Sequence, residues 1–133
     1  MSKHVVAFTA EFKIEAVRSG SCTQTIRPPR KRPIKVGDIL LLHGWVGRPY
    51  FSEWSWRMQG QVVKAVTPVI FYQHCVMIQQ APDTWFPYTW EHPFVEMMAQ
   101  FDGFESTQDM YNWFDKEHHN FERIEMRIIQ WEE

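Results

Sequence analysis

Gly20-Ser21-Cys22-Thr23-Gln24-Thr25-Ile26-Arg27, followed at once by Pro28-Pro29, decides how the first third of this chain folds. Gly20 ends whatever helix precedes it, because glycine alone enters the left-handed region without penalty. Residues 23–27 favour extended backbone, and two prolines forbid their continuation as a central strand or a helix. A short strand closed off by a loop is the only economical reading. Upstream, residues 5–9 are β-branched and aromatic and predict a first strand, while residues 10–19, with Ile14 and Val17 three apart, predict a short helix. Downstream, Lys35-Val36-Gly37-Asp38 predicts a turn into residues 39–42, a run apolar on both faces, as in a closed or doubly covered sheet.

The rest of the chain adds strands, then helices, then a strand. Residues 61–65 and 69–72 predict two strands separated by Pro68, with another over 74–79. Residues 45–56 and 81–93 are rich in aromatics and broken by glycine or proline, and predict two long loops, the first of them possible also as an irregular hairpin. Phe94, Met97, Met98 and Phe101 follow the spacing of one buried helical face, and Gly103 ends that helix. Ser106-Thr107-Gln108-Asp109 offers an N-cap hydroxyl to a second helix carrying Met110, Trp113 and Phe114. Ile124, Met126 and Ile128 alternate with Arg123, Glu125 and Arg127 in a half-buried last strand, until Ile129 and Trp131 shift the phase and suggest a bulge. With no repeat and no linker, one α+β domain spanning 1–133 is expected, a small barrel rather than a series of βαβ units.

At 133 residues the chain is long enough to bury roughly two thirds of its unfolded surface in one core. No signal-peptide core or membrane-spanning run is visible, and the two cysteines, Cys22 and Cys75, form no C-x-x-C pair. A cytoplasmic protein with no membrane partner is expected. The net charge of −2 conceals a division: residues 1–66 carry 11 Lys and Arg against 4 Asp and Glu, residues 67–133 carry 3 against 12. A polyanion would be drawn to the first half, at Arg27, Arg30, Lys31, Arg32 and Lys35; a solvated basic loop is the plainer alternative.

A strand, a short helix, Gly20-x-x-Thr23-x-Thr25-Ile26-Arg27, a loop, Gly37-Asp38 with an apolar strand, and later Ala99-x-x-Asp102-Gly103-Phe104-x-Ser106 with Trp113-Phe114 together resemble the ASCH family, relatives of the PUA domain. The resemblance spans most of the chain. It implies a small PUA-like β-barrel with short flanking helices, and a cleft beside the T-I-R strand used for binding RNA or a modified nucleotide. It also extends to small ASCH proteins that hydrolyse the acetyl amide of N4-acetylcytidine nucleosides with a lysine, a threonine and a glutamate. Aligned on G-x-K-x-x-T-x-R, Thr25 and Arg27 keep the threonine and the arginine, the lysine position is Cys22, and the glutamate falls near Asp102.

The residues themselves support a binding reading in part. Arg27 presents a planar fork of donors to a phosphate or base edge, or else pairs with Asp38 or Asp102. Thr23 and Thr25 alternate on a strand, and one of them, Thr25, is expected to face the cleft. Asp102 reads as a cleft carboxylate or as an exposed helix-end residue. As an enzyme, the chain would use Thr25 and Asp102, with Cys22 as a thiol nucleophile if a cation lowered its pKa, or simply as a packing residue. Trp45, Trp54 and Trp56, and also Trp85 and Trp90, are candidates for base stacking or for lids over the barrel ends. A protein-interaction module built on the aromatic loops is a further alternative. The histidines form no metal motif, although His92 and Glu96 are four apart, and no phosphate loop is present, so neither a metal nor a cofactor is expected.

Overall fold

The computed structural model describes residues 2–8, 11–45, 54–57, 60–118 and 121–132, and at 11, 45 and 54–57 it describes the backbone only. The order is β1 (Lys3–Phe8), α1 (Glu11–Arg18), β2 (Gln24–Arg27), β3 (Ile39–Trp45), β4 (Trp54–Arg57), β5 (Gln61–Tyr72), β6 (Val76–Ala81), β7 (Thr84–Tyr88), α2 (Pro93–Phe101), α3 (Thr107–His118) and β8 (Arg123–Trp131). It is an α+β fold whose strands make one branched sheet. β5 is the spine. It pairs with β8 from Val63 to Tyr72, with β6 at Val69, Ile70 and Phe71, and with β3 at Gln61 and Val62. β2 lies antiparallel on the other edge of β8, and β1 lies parallel to β3. No backbone pairing joins β1 to β2, so the described strands do not close into a barrel.

Two hydrophobic cores lie on opposite faces of this sheet, and β8 serves both. Ile124, Met126 and Ile128 enter the core covered by α2 and α3, with Val69, Phe71, Val95, Met98, Met110 and Phe114. Ile129 and Trp131 enter the other, with Val6, Phe8, Val17, Leu40, Leu42 and Val63. Adjacent strand residues point to opposite faces, so the phase shift at Ile128–Ile129 marks the passage from one core to the other. The bulge is on β5 instead: Val63 faces Trp131 and Ala65 faces Gln130, leaving Lys64 without an opposite residue.

Pro68 does not divide β5. Tyr72 N–H donates to Cys75 O on the β6 side, and the alternation of two turns the nitrogen of Pro68 to that same edge. Pairing with β6 begins only at Val69, so no ladder bond is lost there. Residues 84–88 are not a loop but β7, paired in a hairpin with β6 around Asp83 at φ 62°. Of the first aromatic segment, 46–53 lie outside the described residues, and 54–57 pair with β3 as β4.

The helical spacing over 94–101 is correct, but the buried face is a different one. Val95, Met98, Ala99 and Asp102 point inward, whereas Phe94, Met97 and Phe101 are 55%, 48% and 58% exposed. The helix is apolar on both sides, so periodicity alone does not choose; the face with Ala99 allows close approach and the face with Asp102 meets a buried cation. α3 is capped as its sequence predicts, with Ser106 Oγ accepting from Asp109 N–H at 3.2 Å. Glu96 adds a second cap, accepting from Thr107 N–H (3.1 Å) and Thr107 Oγ1–H (2.5 Å), bonds that hold its carboxyl below the ordinary value.

Asp38 pins β1 to the turn before β3. It accepts from Ser2 N–H at 3.1 Å, His4 Nε2 at 2.9 Å and Lys35 N–H at 3.0 Å, and these bonds pull its pKa from 3.8 to about 2. A folded value below the unfolded one gives stability that is complete above 3.8 and lost as pH falls towards 2. Asp38→Asn is expected to make the loss of stability across that interval shallower in urea melts taken at successive pH values. An unchanged slope would remove Asp38 from the acid response.

Candidate functional site

Thr25 and Arg27 stand two apart on β2 and so share a face. Thr25 Oγ1 accepts from Arg27 Nε–H at 3.1 Å, and Arg27 Nη2 donates to Ala7 O on β1 at 2.6 Å, its guanidinium lying 4.9 Å over the Phe8 ring. Thr25 and Arg27 line a cavity of about 330 Å³ together with Asp102; Thr23 is not among its lining residues. Such a volume lies in the range of about 300–1,000 Å³ typical of small-ligand sites. Phe8, Phe12, Phe104 and Trp113 form aromatic walls, and Glu117 and His118 at the end of α3 form part of the rim. Phe12 packs against Phe104 at 5.4 Å and nearly perpendicular to Trp113 at 5.9 Å.

Asp102 is the C-cap of α2, where Gly103 at φ 95° turns the chain away, with the Lys13 stem alongside. Lys13 is on the same face of α1 as Val17, four residues on, and its ammonium is buried. Its three protons meet three acceptors: Gln24 O at 2.7 Å, Asp102 O, and Asp102 Oδ1 at 3.1 Å. Gln24 Nε2 also donates to Met98 O at 3.2 Å and to Asp102 Oδ1 at 3.4 Å. Asp102 Oδ2 has no hydrogen-bond partner among the described residues. Burial pushes the Asp102 carboxyl above its ordinary value, and Lys13, Gln24 and Arg27 oppose that shift.

Charge in the site is therefore uneven. Lys13 and Asp102 neutralise each other, but Arg27 forms no ion pair among the described residues. Burial, and then the charge of Arg30, lower its pKa from 12.5 to about 10, with Asp102 opposing. Arg27 is still protonated at neutral pH and is a half-buried cation with no ion-pair partner among the described residues. Asp38, one partner considered from sequence, is engaged with His4. A larger hollow of about 480 Å³ between α2 and α3 is lined by Glu91, Glu96, Gln73, Trp90 and Tyr111, and its charges are all negative.

Other sequence candidates are placed elsewhere. Cys22 is buried in the second core and outside the cavity lining, with its Sγ 3.2 Å from both Gln24 O and Phe101 O. Arg30 Nη2 donates to Val5 O at 2.9 Å and Arg32 Nη2 to Lys3 O at 2.6 Å, while Lys31 and Lys35 are exposed. The side chains of Trp45, Trp54 and Trp56 lie outside the described residues. Trp90 is buried, donating to Tyr72 O at 2.9 Å, and Trp85 is half-buried on β7. His92 caps α2, its Nδ1 accepting from Phe94 N–H, and with Glu96 committed to Thr107 the two share no site. Sequence reasoning missed Lys13, Gln24, Phe12 and Trp113. For Lys13 the available signal was a lysine four residues before Val17, on the face meant for the core.

No protein-family profile, curated protein or solved structure matches the chain.

Proposed function

We propose that the cavity between β2, α1 and the end of α2 binds RNA through one of its nucleotides, or a free modified nucleotide, as an ASCH-type binding site. On this reading the sheet is an open version of a PUA-like barrel whose β1–β2 seam is bridged by arginine side chains. The observation that carries it is the convergence of Thr25, Arg27 and Asp102 on one cavity walled by aromatic rings. Asp102 Oδ2 accepts from an amino group of a base, the Thr25 hydroxyl and the remaining Arg27 N–H groups donate to its oxygen or ring nitrogen, and an aromatic wall offers a stacking face. The cation on Arg27, with Arg30 beside it, supplies attraction to phosphate.

Fluorescence anisotropy with a short labelled oligoribonucleotide, titrated at several salt concentrations, tests this. Affinity is expected to fall steadily as salt rises. Binding that ignores salt, or no binding at any salt, contradicts it.

One observation favours a second reading, hydrolysis of an acetylated cytidine. The lysine that position 22 does not supply is delivered from α1, as Lys13 at Asp102. Against it, all three ammonium protons are already engaged, leaving neither a free lone pair nor a free proton for chemistry. Incubation of N4-acetylcytidine with concentrated protein decides the matter: acetate and cytidine support hydrolysis, and an unchanged substrate removes it.

A further inference from the structure

Among the described residues β1 pairs with β3 on one edge and with no strand on the other. Ile39 N–H donates to Ser2 O, so Ser2, His4 and Val6 turn their backbone groups to β3, and Lys3, Val5 and Ala7 turn theirs outward. Onto those three outward carbonyls fall three guanidinium groups in order: Arg27 on Ala7 O, Arg30 on Val5 O and Arg32 on Lys3 O. Each arginine is thereby held in place by a neutral acceptor and keeps most of its five donors. None of the three forms an ion pair among the described residues. The carbonyls recur every second residue, about 6.6–6.8 Å apart along a strand, close to the step from one phosphate to the next along an extended single strand. The row starts inside the cavity with Arg27 and runs outwards to Arg32.

We infer that the open edge of β1 is a track for single-stranded RNA, with Arg27, Arg30 and Arg32 each taking one phosphate while a base occupies the cavity. The inference rests on the cavity being a nucleotide site and adds the length and path of the ligand. Arginines that only covered an exposed strand edge would not produce a gain in affinity that stops at the third nucleotide.

The test uses the full chain and oligocytidylates of one to five residues, each with a 5′-phosphate. Kd is expected to fall with each added nucleotide up to three and then level off. For the trinucleotide, log K against log salt is expected to have a slope of about −2, from about −0.7 per phosphate on a single strand. Arg32→Gln is expected to remove the gain from the third nucleotide, reduce the slope by about 0.7, and leave the mononucleotide affinity within about two-fold, since Arg32 lies outside the cavity. The length series needs no variant, so it decides even if Arg32→Gln folds poorly. Equal affinities for one and three nucleotides overturn the track and leave the cavity site standing. If no oligocytidylate of any length binds, the track and the nucleotide reading of the cavity both fail.

Discussion

Lys13→Met is expected to lower folding stability by about 3–5 kcal/mol, the cost of removing one partner of a buried ion pair. Methionine keeps most of the stem volume against Gly103, so the loss reports the charge and its bonds. The Asp102 carboxylate would be left with Gln24 as its neighbouring donor at 3.4 Å, and the carbonyls of Gln24 and Asp102 would lose the ammonium. For a domain stable by about 5–15 kcal/mol this is a large part of the total. Adding Asp102→Asn should restore much of it, because a neutral amide does not need a cation. The pH dependence provides a further signature. Burial holds the Asp102 carboxyl above its ordinary value even with Lys13 opposing, and removing Lys13 raises it further, so in Lys13→Met stability should be greatest in acid and fall as pH rises through the folded value, opposite in sense to Asp38. Urea melts of both variants across the acidic range check each point, and a loss below about 1 kcal/mol, the scale of a single ordinary hydrogen bond, would contradict the assignment.

Arg27→Gln is expected to weaken nucleotide binding roughly 10- to 150-fold, corresponding to about 1.5–3 kcal/mol for hydrogen bonds to a charged group. Its melting temperature should stay close to that of the native chain. The native guanidinium is half-buried with no ion-pair partner among the described residues, and burial and the charge of Arg30 lower its pKa, so a neutral side chain relieves a desolvation cost that offsets the loss of its bonds to Ala7 O and Thr25 Oγ1. Binding sites commonly trade stability for function in this way. Affinity measured by calorimetry beside a thermal melt separates this from a structural role, in which stability would fall and affinity would follow it.

The local grammar of the chain was readable because it depends on few neighbours. Pro28-Pro29 ends β2, Thr25 and Arg27 share a strand face, and Ser106 caps α3. What escaped depends on contacts between distant segments. α2 is apolar on two sides, and only Ala99 against the core and Asp102 against Lys13 settle its orientation. Pro68 is tolerated because β6 leaves its edge free just there. The shift at Ile128–Ile129 reflects two cores on opposite faces, which no single periodicity encodes. Within the site, Arg27 and Asp102 were legible as residue types, but the cation at Asp102 comes from Lys13, 89 residues away in sequence. Arg30 and Arg32 read as a phosphate-gripping loop, and their anchoring on alternate carbonyls of β1 needs the parallel β1–β3 pair to exist first.

The most direct test of the nucleotide site is an NMR titration of the full chain with cytidine 5′-monophosphate. The account predicts saturable shifts concentrated at the amides of Thr25, Ile26, Arg27, Asp102 and Gly103 and at the Trp113 indole N–H. Shifts centred instead on Phe94, Met97 and Phe101 or on the Glu91–Glu96 hollow, or no shifts at all, would contradict it.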